Sequence, residues 1–284
     1  MTSVQQTIVI TGCDSGIGRA LALEFYGRGH RVYATGLQPA ALTDLQHRGL
    51  VTQMLDVTDQ QNVDALCARL RADGTPVDIL INNAGYGAMG PTIEMPLEEV
   101  RRQFEVNVLG LLRVSQALAV DMMTRRRGMI INIGSTAGVL TSPFAGVYCA
   151  TKSAVHALTD ALRLELGPLG IQVVRVEPNM IRSGFGQTAA EGLQARFRPE
   201  SVYWPVRGAA LARALGSQTA DAMPAEELAY KLANSVLSPN PPIRIRIGRQ
   251  LLIYTLLKPF LPARWIDRLL QKRFKLHELN PLLL

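Results

Sequence analysis

Short apolar runs alternate along the chain with stretches in which apolar residues recur every three to four positions. Runs such as TIVITG at 7–12 are apolar nearly throughout, which is typical of strands buried on both faces. The intervening stretches have helical spacing, and Asp59 stands where a helix N-cap is expected. The pattern predicts strands at 7–12, 31–36, 51–57, 77–85, 128–135, 171–178 and 243–248, with helices near 17–25, 40–49, 59–71, 96–125 and 147–167.

This alternation predicts an α/β fold: a doubly wound parallel sheet of seven strands with helices on both faces. No repeat and no linker divides the strands, so we expect a single domain at residues 1–248 with an irregular lid insert at about 184–224. A helical C-terminal extension is expected at 249–284. No apolar run approaches the roughly 18 to 20 residues needed to cross a bilayer, and the N-terminus does not read as a secretory signal.

The net charge of +7 is concentrated at the C-terminus. Residues 1–243 hold 21 basic and 21 acidic residues, whereas 244–284 hold nine basic and two acidic ones. A nucleic-acid binder would spread its basic residues differently, so no nucleic-acid partner is expected. The segment 251–274 interleaves basic with apolar residues, and two interpretations stay open. It forms short helices that cover the substrate cleft or a subunit interface, or it forms an amphipathic helix on a membrane surface or a partner.

Cysteines and histidines exclude two further classes of site. Cys13, Cys67 and Cys149 form no CxxC pair, and the four histidines show no spacing typical of metal ligands. We therefore expect a reduced, cytoplasmic chain with no disulfide framework and no metal site. Peripheral contact with a membrane through the basic tail remains open.

A glycine-rich turn, TGCDSGIG at 11–18, stands where the first strand becomes the first helix. Gly12 permits the tight turn, Gly16 lets backbone N–H groups approach a phosphate, and Gly18 lets the helix pack closely on the sheet. A purely structural turn also favours glycine. The position between strand and helix nevertheless favours a dinucleotide site.

Five further motifs follow in order, and together with the glycine turn they make residues 7–183 resemble the short-chain dehydrogenase/reductase family. They are Asp56-Val57, Asn82-Asn83-Ala84-Gly85, Asn107 in VNVLG, Ser135, and Tyr148 with Lys152 in YxxxK. The resemblance implies a Rossmann fold, NAD or NADP as the cofactor, and hydride transfer at a CH–OH group. The cofactor-binding residues implied are Gly12, Asp14, Ser15, Gly16, Ile17, Gly18, Leu37, Asp56, Val57, Asn83, Ala84, Gly85, Tyr148, Lys152, Ile181 and Ser183.

The chemistry requires a proton to leave or reach the substrate oxygen while hydride moves at carbon. A free tyrosine, with a pKa of about 10, is too weak a base at neutral pH. Lys152 lies four residues after Tyr148 on the same helix face, so its ammonium, together with the oxidised nicotinamide, is expected to lower that pKa. Ser135 is then expected to hold the substrate oxygen. The resemblance further implies that Lys152 binds the nicotinamide ribose and that Asn107 supports a proton relay; a buried asparagine that only braces a helix is the alternative.

Two positions depart from the family pattern. Pro178-Asn179 stands where the family usually has Pro-Gly, and asparagine tolerates a positive φ better than other non-glycine residues. Gly36-Leu37 stands where an acidic residue would favour NAD or an arginine would favour NADP, and has neither. The choice between NADP and NAD stays open, with a slight preference for NADP.

The expected substrate is a hydrophobic ketone, aldehyde or alcohol. The insert carries Phe185, Phe197, Tyr203 and Trp204, which either line an apolar pocket facing Pro143, Phe144 and Val147 or pack locally. Around it lie Arg182, Arg196, Arg198 and Arg207, which would suit a phosphate head group or simply face solvent. The chain most resembles the hydroxysteroid/retinol dehydrogenase and acyl-dihydroxyacetone-phosphate reductase branches, and the family implies a homo-oligomer. The alternative is a non-catalytic dinucleotide-sensing or membrane-associated binding protein on the same fold.

Overall fold

A computed structural model describes residues 5–248 and 261–279. Its centre is a seven-stranded sheet in the order β3-β2-β1-β4-β5-β6-β7, with every neighbouring pair parallel. The predicted doubly wound parallel sheet is confirmed. The strands are β1 (Thr7–Ile10), β2 (Arg31–Gly36), β3 (Val51–Met54), β4 (Ile79–Asn82), β5 (Gly128–Ile133), β6 (Ile171–Pro178) and β7 (Arg244–Ile247).

Helices cover both faces of this sheet because successive strand residues point to opposite sides. Ile8 and Ile10 of β1 join one apolar cluster, whereas Val9 between them joins the other. The first cluster contains side chains of α1 (Gly16–Gly27), α2 (Pro39–His47) and α9 (Ala225–Val236), and the second contains those of α3 (Gln60–Ala72), α5 (Leu111–Arg125) and α6 (Gly146–Leu166). As predicted, Asp59 caps α3 by accepting a hydrogen bond from the Gln61 N–H.

Strands β1, β3, β4 and β5 end two to three residues before the apolar runs that predict them. The remaining residues leave the sheet and form the loops at its carboxyl edge, where ligands bind in folds of this type. The predicted strand ends at 11–12, 55–57, 83–85 and 134–135 are therefore loop segments. They hold seven of the predicted site residues, namely Gly12, Asp56, Val57, Asn83, Ala84, Gly85 and Ser135.

The predicted helix at 96–125 is continuous but not uniform. It consists of α4 (Leu97–Phe104), a π-helical segment (Glu105–Gly110) and α5. By length and composition alone, Leu97–Arg125 could span a membrane, although half of its most apolar window is buried within the fold. That burial is what a core helix of a folded domain shows.

The insert leaves the sheet after β6 and returns before α9. Ile181 pairs with Met223 in an isolated parallel bridge, so the two ends of the insert lie side by side. The insert contains α7 (Phe185–Arg196) and α8 (Arg207–Ala214). In the predicted C-terminal extension, α10 (Ala263–Arg273) is helical, while 249–260 and 280–284 lie outside the described residues.

Part of the basic C-terminal charge is neutralised within the fold. Arg244 and Arg246 belong to β7, and both pair with Glu177 of β6, whose side chain is fully buried. Arg175 pairs with the same carboxylate at 3.0 Å. These two arginines of β7 therefore hold the last two strands together rather than adding to a free basic surface.

Candidate active site

Ser135 and Tyr148 meet at the carboxyl edge of the sheet. Ser135 follows β5, and its Oγ accepts a hydrogen bond from the Ala137 N–H at 3.1 Å, which fixes the short 3₁₀ turn (Thr136–Gly138). The Ser135 hydroxyl lies close enough to the Tyr148 phenol on α6 to lower its pKa. The structure therefore brings these two predicted site residues together.

Lys152 lies one turn after Tyr148 and is almost fully buried. Its Nζ lies 5.9 Å from the Tyr148 ring centroid and donates a hydrogen bond to the Ile133 carbonyl at 2.8 Å. Burial lowers the pKa of Lys152 to about 8 and raises the pKa of Tyr148 to about 12, although the Ser135 hydrogen bond opposes the latter shift. Besides the Ser135 hydroxyl, the charge of Arg213 lowers the pKa of Tyr148, but burial outweighs both. The lowering expected from Lys152 together with a positive nicotinamide stays a prediction.

Asn107 joins the loop after β4 to α6. Its Oδ1 accepts from the Tyr86 N–H at 3.0 Å, and its Nδ2 donates to the Tyr86 carbonyl at 2.9 Å. The same Nδ2 donates to Thr151 Oγ1 at 3.1 Å, next to Lys152 on α6. The amide thus braces the loop against α6, and the proton-relay role of Asn107 stays a prediction.

His156, which the sequence analysis did not select, lies directly beneath Ser135. Its Nε2 accepts the Ser135 N–H at 3.4 Å, and the ring fills the space beside Gly134 and Gly138. Burial, together with the charge of Arg175, lowers the pKa of His156 to about 4, so the ring is neutral and can accept. The only signal in the sequence is its position two helical turns after Tyr148 on the same face of α6.

The glycine turn is locked to the loop after β4 by Thr11, another residue that the sequence analysis left out. Its hydroxyl accepts hydrogen bonds from the N–H groups of Asn83 and Ala84, each at 3.0 Å. The Asn83 Nδ2 in turn donates to the carbonyls of Thr11 and Gly12. Gly18 packs against the Gly12 carbonyl, and Gly85 lies beside Asn107. The glycine turn, the loop after β4 and Asn107 therefore meet at the carboxyl edge of the sheet.

The amino end of α1 has the properties of a phosphate site. Ser15 stands at the N-cap position but makes no side-chain cap, so its hydroxyl does not satisfy the first N–H groups of the helix. Gly16 has φ of +56°, and a Cβ there would lie 2.8 Å from the Ser183 Cβ. Ser183 therefore faces the turn directly. N–H groups at a helix terminus favour an anion, so this donor set fits the pyrophosphate of a dinucleotide.

Leu37, Asp56 and Val57, which the resemblance implies for cofactor binding, lie in the loops after β2 and β3. The Asp56 carboxylate accepts hydrogen bonds from the N–H and hydroxyl of Thr58, at 2.9 and 2.7 Å. Val57 is buried against Gly110, and Leu37 is 59% exposed beside the turn. Ile17 packs partly buried against the core of the same half of the sheet.

The turn after β6 survives without glycine, but not through Asn179 as the sequence suggested. Met180 takes the positive φ, +47°, and its carbonyl accepts from the Met223 N–H at 2.9 Å. Asn179 instead accepts a hydrogen bond from the Thr136 hydroxyl at 3.2 Å. Pairing with Met223 on the insert's return path holds this geometry. The Ile181 side chain is buried in the core, and its carbonyl accepts a hydrogen bond from the Ser183 hydroxyl at 3.4 Å.

Tyr148 lies within an apolar cluster that includes the insert and the C-terminal segment. The Phe185 ring of α7 packs at 5.3 Å from the Tyr148 ring. Phe144 contacts Tyr203 at 6.0 Å and Phe274 at 6.2 Å, and all belong to the cluster around Tyr148. These aromatic residues therefore pack against one another in the same apolar cluster that contains Tyr148. Val147 points elsewhere, into a small cluster with Ala88 and Met95.

Two of the four arginines around the insert have partners within the protein. Arg196 pairs with Glu99 at 3.5 Å, and Arg207 stacks on Trp204 at 4.3 Å. Arg182 and Arg198 are exposed. The four do not form one anion site in this arrangement.

The sequence matches the short chain dehydrogenase family over residues 6–194. This chain belongs to the short-chain dehydrogenase/reductase family. It is 34% identical to a probable short-chain type dehydrogenase/reductase, VdlC, of Helicobacter pylori, over 92% of this chain and 95% of that protein. It is 39% identical to mouse retinol dehydrogenase 5, over 62% and 57% of the two chains.

Further relatives agree on the kind of enzyme. An NADPH-dependent 1-acyldihydroxyacetone phosphate reductase of Schizosaccharomyces pombe is 33% identical, over 72% of this chain and 69% of that protein. A closed serine dehydrogenase in complex with NADP⁺ superposes with a TM-score of 0.74 at 26% identity, covering 85% of this chain and 94% of that one. The protein is thus an NAD(P)-dependent oxidoreductase of this family.

Proposed function

We propose that this short-chain dehydrogenase/reductase interconverts a hydrophobic ketone or aldehyde and its alcohol, the substrate being steroid-, retinoid- or lipid-like. The observation that supports the proposal is the surroundings of Tyr148, whose ring is 8% exposed in an apolar cluster with Met89, Phe144 and Phe185. An apolar lining of this kind favours a substrate that buries hydrocarbon beside the reacting carbonyl.

In this proposal the chain's own residues handle the proton and the substrate oxygen. Tyr148 gives its phenolic proton to the oxygen during reduction and takes it back during oxidation. Ser135 donates a hydrogen bond to the charge that develops on the same oxygen. Lys152 holds the cofactor ribose and supplies a positive charge, and Asn107 braces the adjoining loop and supports the proton relay. When bound, the nicotinamide accepts or donates the hydride.

The test is turnover on a panel of steroids, retinoids, acyl ketones and lipid ketones, with small polar hydroxy acids as the comparison. Activity on one apolar class, with Tyr148→Phe lowering it at least about 100-fold, is the expected result. Unchanged cofactor affinity in the variant would show that the fold is intact. Turnover of the polar panel alone, or of nothing, contradicts the proposed substrate class. Cofactor binding without turnover would support the non-catalytic alternative.

The C-terminal segment has a covering role in this proposal, with residues 1–248 as the catalytic domain and 184–224 as a lid. Phe274, directly after α10, is 6% exposed within the Tyr148 cluster, and Leu270 of α10 packs against the same cluster. The opposite side of α10 exposes Trp265 and Leu269, 54% and 42%, among basic residues. Such a side suits an anionic membrane surface. The location that we propose for the enzyme is therefore the cytoplasm, in peripheral contact with a membrane.

Sedimentation with vesicles rich in anionic lipid tests the membrane contact. The full chain is expected to sediment with them, and a Trp265→Ser, Leu269→Ser double variant to remain in solution with its activity intact. Full-length protein that ignores anionic vesicles contradicts the contact. It leaves the covering role in place.

A homo-oligomer completes the proposal. Leu109 in the π-helical segment, Val120 of α5 and Leu164 of α6 are 47%, 59% and 67% exposed, so the long helices carry apolar side chains on their outer surfaces. Light scattering after size-exclusion chromatography is expected to give a multiple of 31.0 kDa. A monomer at micromolar concentration contradicts this part of the proposal.

A further inference from the structure

The end of β2 carries no charged residue of its own. In dinucleotide-binding folds, an acidic residue about 20 positions after the first glycine binds the ribose 2′-hydroxyl of NAD, and a nearby arginine accommodates the 2′-phosphate of NADP. Here that stretch reads Gly36-Leu37-Gln38. The sequence alone therefore leaves the choice of cofactor unsettled.

Asp14, from the glycine turn, places a carboxylate at this position. Its Oδ2 accepts a hydrogen bond from the Leu37 N–H at 3.1 Å, and its Oδ1 accepts one from the Gln38 N–H at 2.8 Å. A Cβ on Gly36 would collide with the carboxylate, so the glycine is what admits it. An acidic group thus occupies the end of β2, although it comes from another loop.

The basic side chain nearest in sequence is already committed. Arg19, on the first turns of α1, donates to the Ala41 carbonyl at 3.2 Å and pairs with Asp44. Leu37, which stands where an arginine would receive a 2′-phosphate, has only an apolar side chain. Within residues 5–248 and 261–279, the Asp14 carboxylate is bound by two backbone N–H groups and forms no salt bridge with a cation.

We propose that Asp14 sets the cofactor choice of this enzyme and that it favours NAD(H) over NADP(H). A ribose hydroxyl can donate to the remaining lone pairs of the carboxylate. A 2′-phosphate would instead meet a like charge, and the two backbone N–H groups that could receive it are already bound to Asp14. The proposal concerns cofactor binding alone, so it stands or falls independently of the substrate class.

Fluorescence titration of the full chain with NADH and NADPH tests it. The wild type is expected to bind NADH at least about 10-fold more tightly, and Asp14→Asn to narrow that ratio about 10-fold, mainly by improving NADPH affinity. The matched control is Asp64→Asn on α3, which changes the net charge equally and should leave the ratio unaltered. Added salt should narrow the wild-type ratio, because screening weakens the repulsion.

A second variant keeps the test decisive if Asp14→Asn loosens the turn. Leu37→Arg is expected to improve NADPH affinity, and to do so more strongly with asparagine at position 14, because Asp14 would otherwise pair with the new guanidinium. Thermal unfolding of each variant identifies loss of fold. A wild type that prefers NADPH about 10-fold overturns the proposal. Equal ratios in the wild type and Asp14→Asn also overturn it, as does strict additivity of the two substitutions.

Discussion

The ring of Phe185 lies 5.3 Å from the ring of Tyr148 and is tilted 54° to it. Phe185 also contacts the Gly87 loop, so this one side chain bridges the insert and the loop after β4 directly above the phenol. We expect a large substrate to displace this ring in order to reach the Tyr148 hydroxyl. Phe185 is therefore the side chain of the insert that we expect to control access to the site.

Replacing Phe185 with alanine is expected to lower KM for bulky apolar ketones several-fold and to change KM for a small ketone little. The space released adjoins Tyr148, so only a substrate large enough to occupy it benefits. Steady-state kinetics on matched large and small ketones measures this. Val202→Ala, a substitution at an exposed position of the same insert, is the control. Equal effects on both ketones would show that Phe185 does not control access.

Reductive kcat/KM is expected to fall as pH rises through about 8. Lys152 has a pKa lowered to about 8 by burial, so its positive charge is present below that pH and lost above it, while Tyr148 keeps its proton. In Lys152→Arg the guanidinium stays charged, so the residual activity should lack this decline. Lys231→Arg, at an exposed position of α9, should keep it. A wild-type profile that is flat to pH 10 contradicts the assignment.

Acid is expected to destabilise the fold in part through His156. Its folded pKa of about 4 lies below the usual value of 6.5, so the unfolded chain binds the proton more readily between these values. Stability is therefore complete above about pH 6.5 and falls as pH decreases toward 4, by at most about 3 kcal/mol from this residue. Urea unfolding at several pH values compares the wild type with His156→Gln.

That glutamine variant does not titrate, yet it retains an acceptor for the Ser135 N–H. The difference in unfolding free energy between the two proteins should narrow as pH falls through that window. His30, whose pKa burial also lowers, is common to both and cancels. A difference independent of pH would mean that His156 is not buried as a neutral ring.

Replacing Glu177 with glutamine is expected to lower the free energy of unfolding by about 3 kcal/mol or more, because removing one member of a buried ion cluster leaves its partners uncompensated. The carboxylate is fully buried and lies 2.6 Å from Arg244 and 3.0 Å from Arg175. Burial alone would raise its pKa, but the arginines outweigh it and lower the pKa. Denaturant unfolding measures the loss, and Glu226→Gln at an exposed position should cost almost nothing. Equal costs would rule out a structural ion cluster.

The sequence predicts the sheet well because each strand is a short, continuous apolar run. The helices between the strands differ from these runs in the spacing of their apolar residues. It also selects Ser135, Tyr148 and Lys152, since each stands at a strand end or at a fixed helical spacing. His156 and Thr11 could not be found in this way. Their partners lie 21 and 72 residues away along the chain, and only the assembled sheet edge brings them together.

The ends of the strands and the role of Asp14 were missed for a related reason. An apolar run does not show where the chain leaves the sheet, because loop residues such as Val57 are buried as fully as strand residues. Asp14 and Leu37 are 23 residues apart along the chain, and only the fold brings the carboxylate to the Leu37 N–H. The residues at the end of β2 therefore include no acid that the sequence could reveal. Similarly, the sequence placed the left-handed residue after β6 at Asn179, whereas tertiary pairing with Met223 moved it to Met180.

The position of Phe274 has a consequence for how the protein is made. The apolar cluster around Tyr148 includes a residue that is synthesised 126 positions later, since the chain numbers run from 148 to 274. Nascent chains fold from the amino end, so the sheet and the insert can form while the segment that covers them has yet to emerge. During that interval the apolar side chains around Tyr148 lack part of their cover. The nascent chain is therefore most prone to aggregate before residue 274 has emerged, and packing of the C-terminal segment ends that exposure.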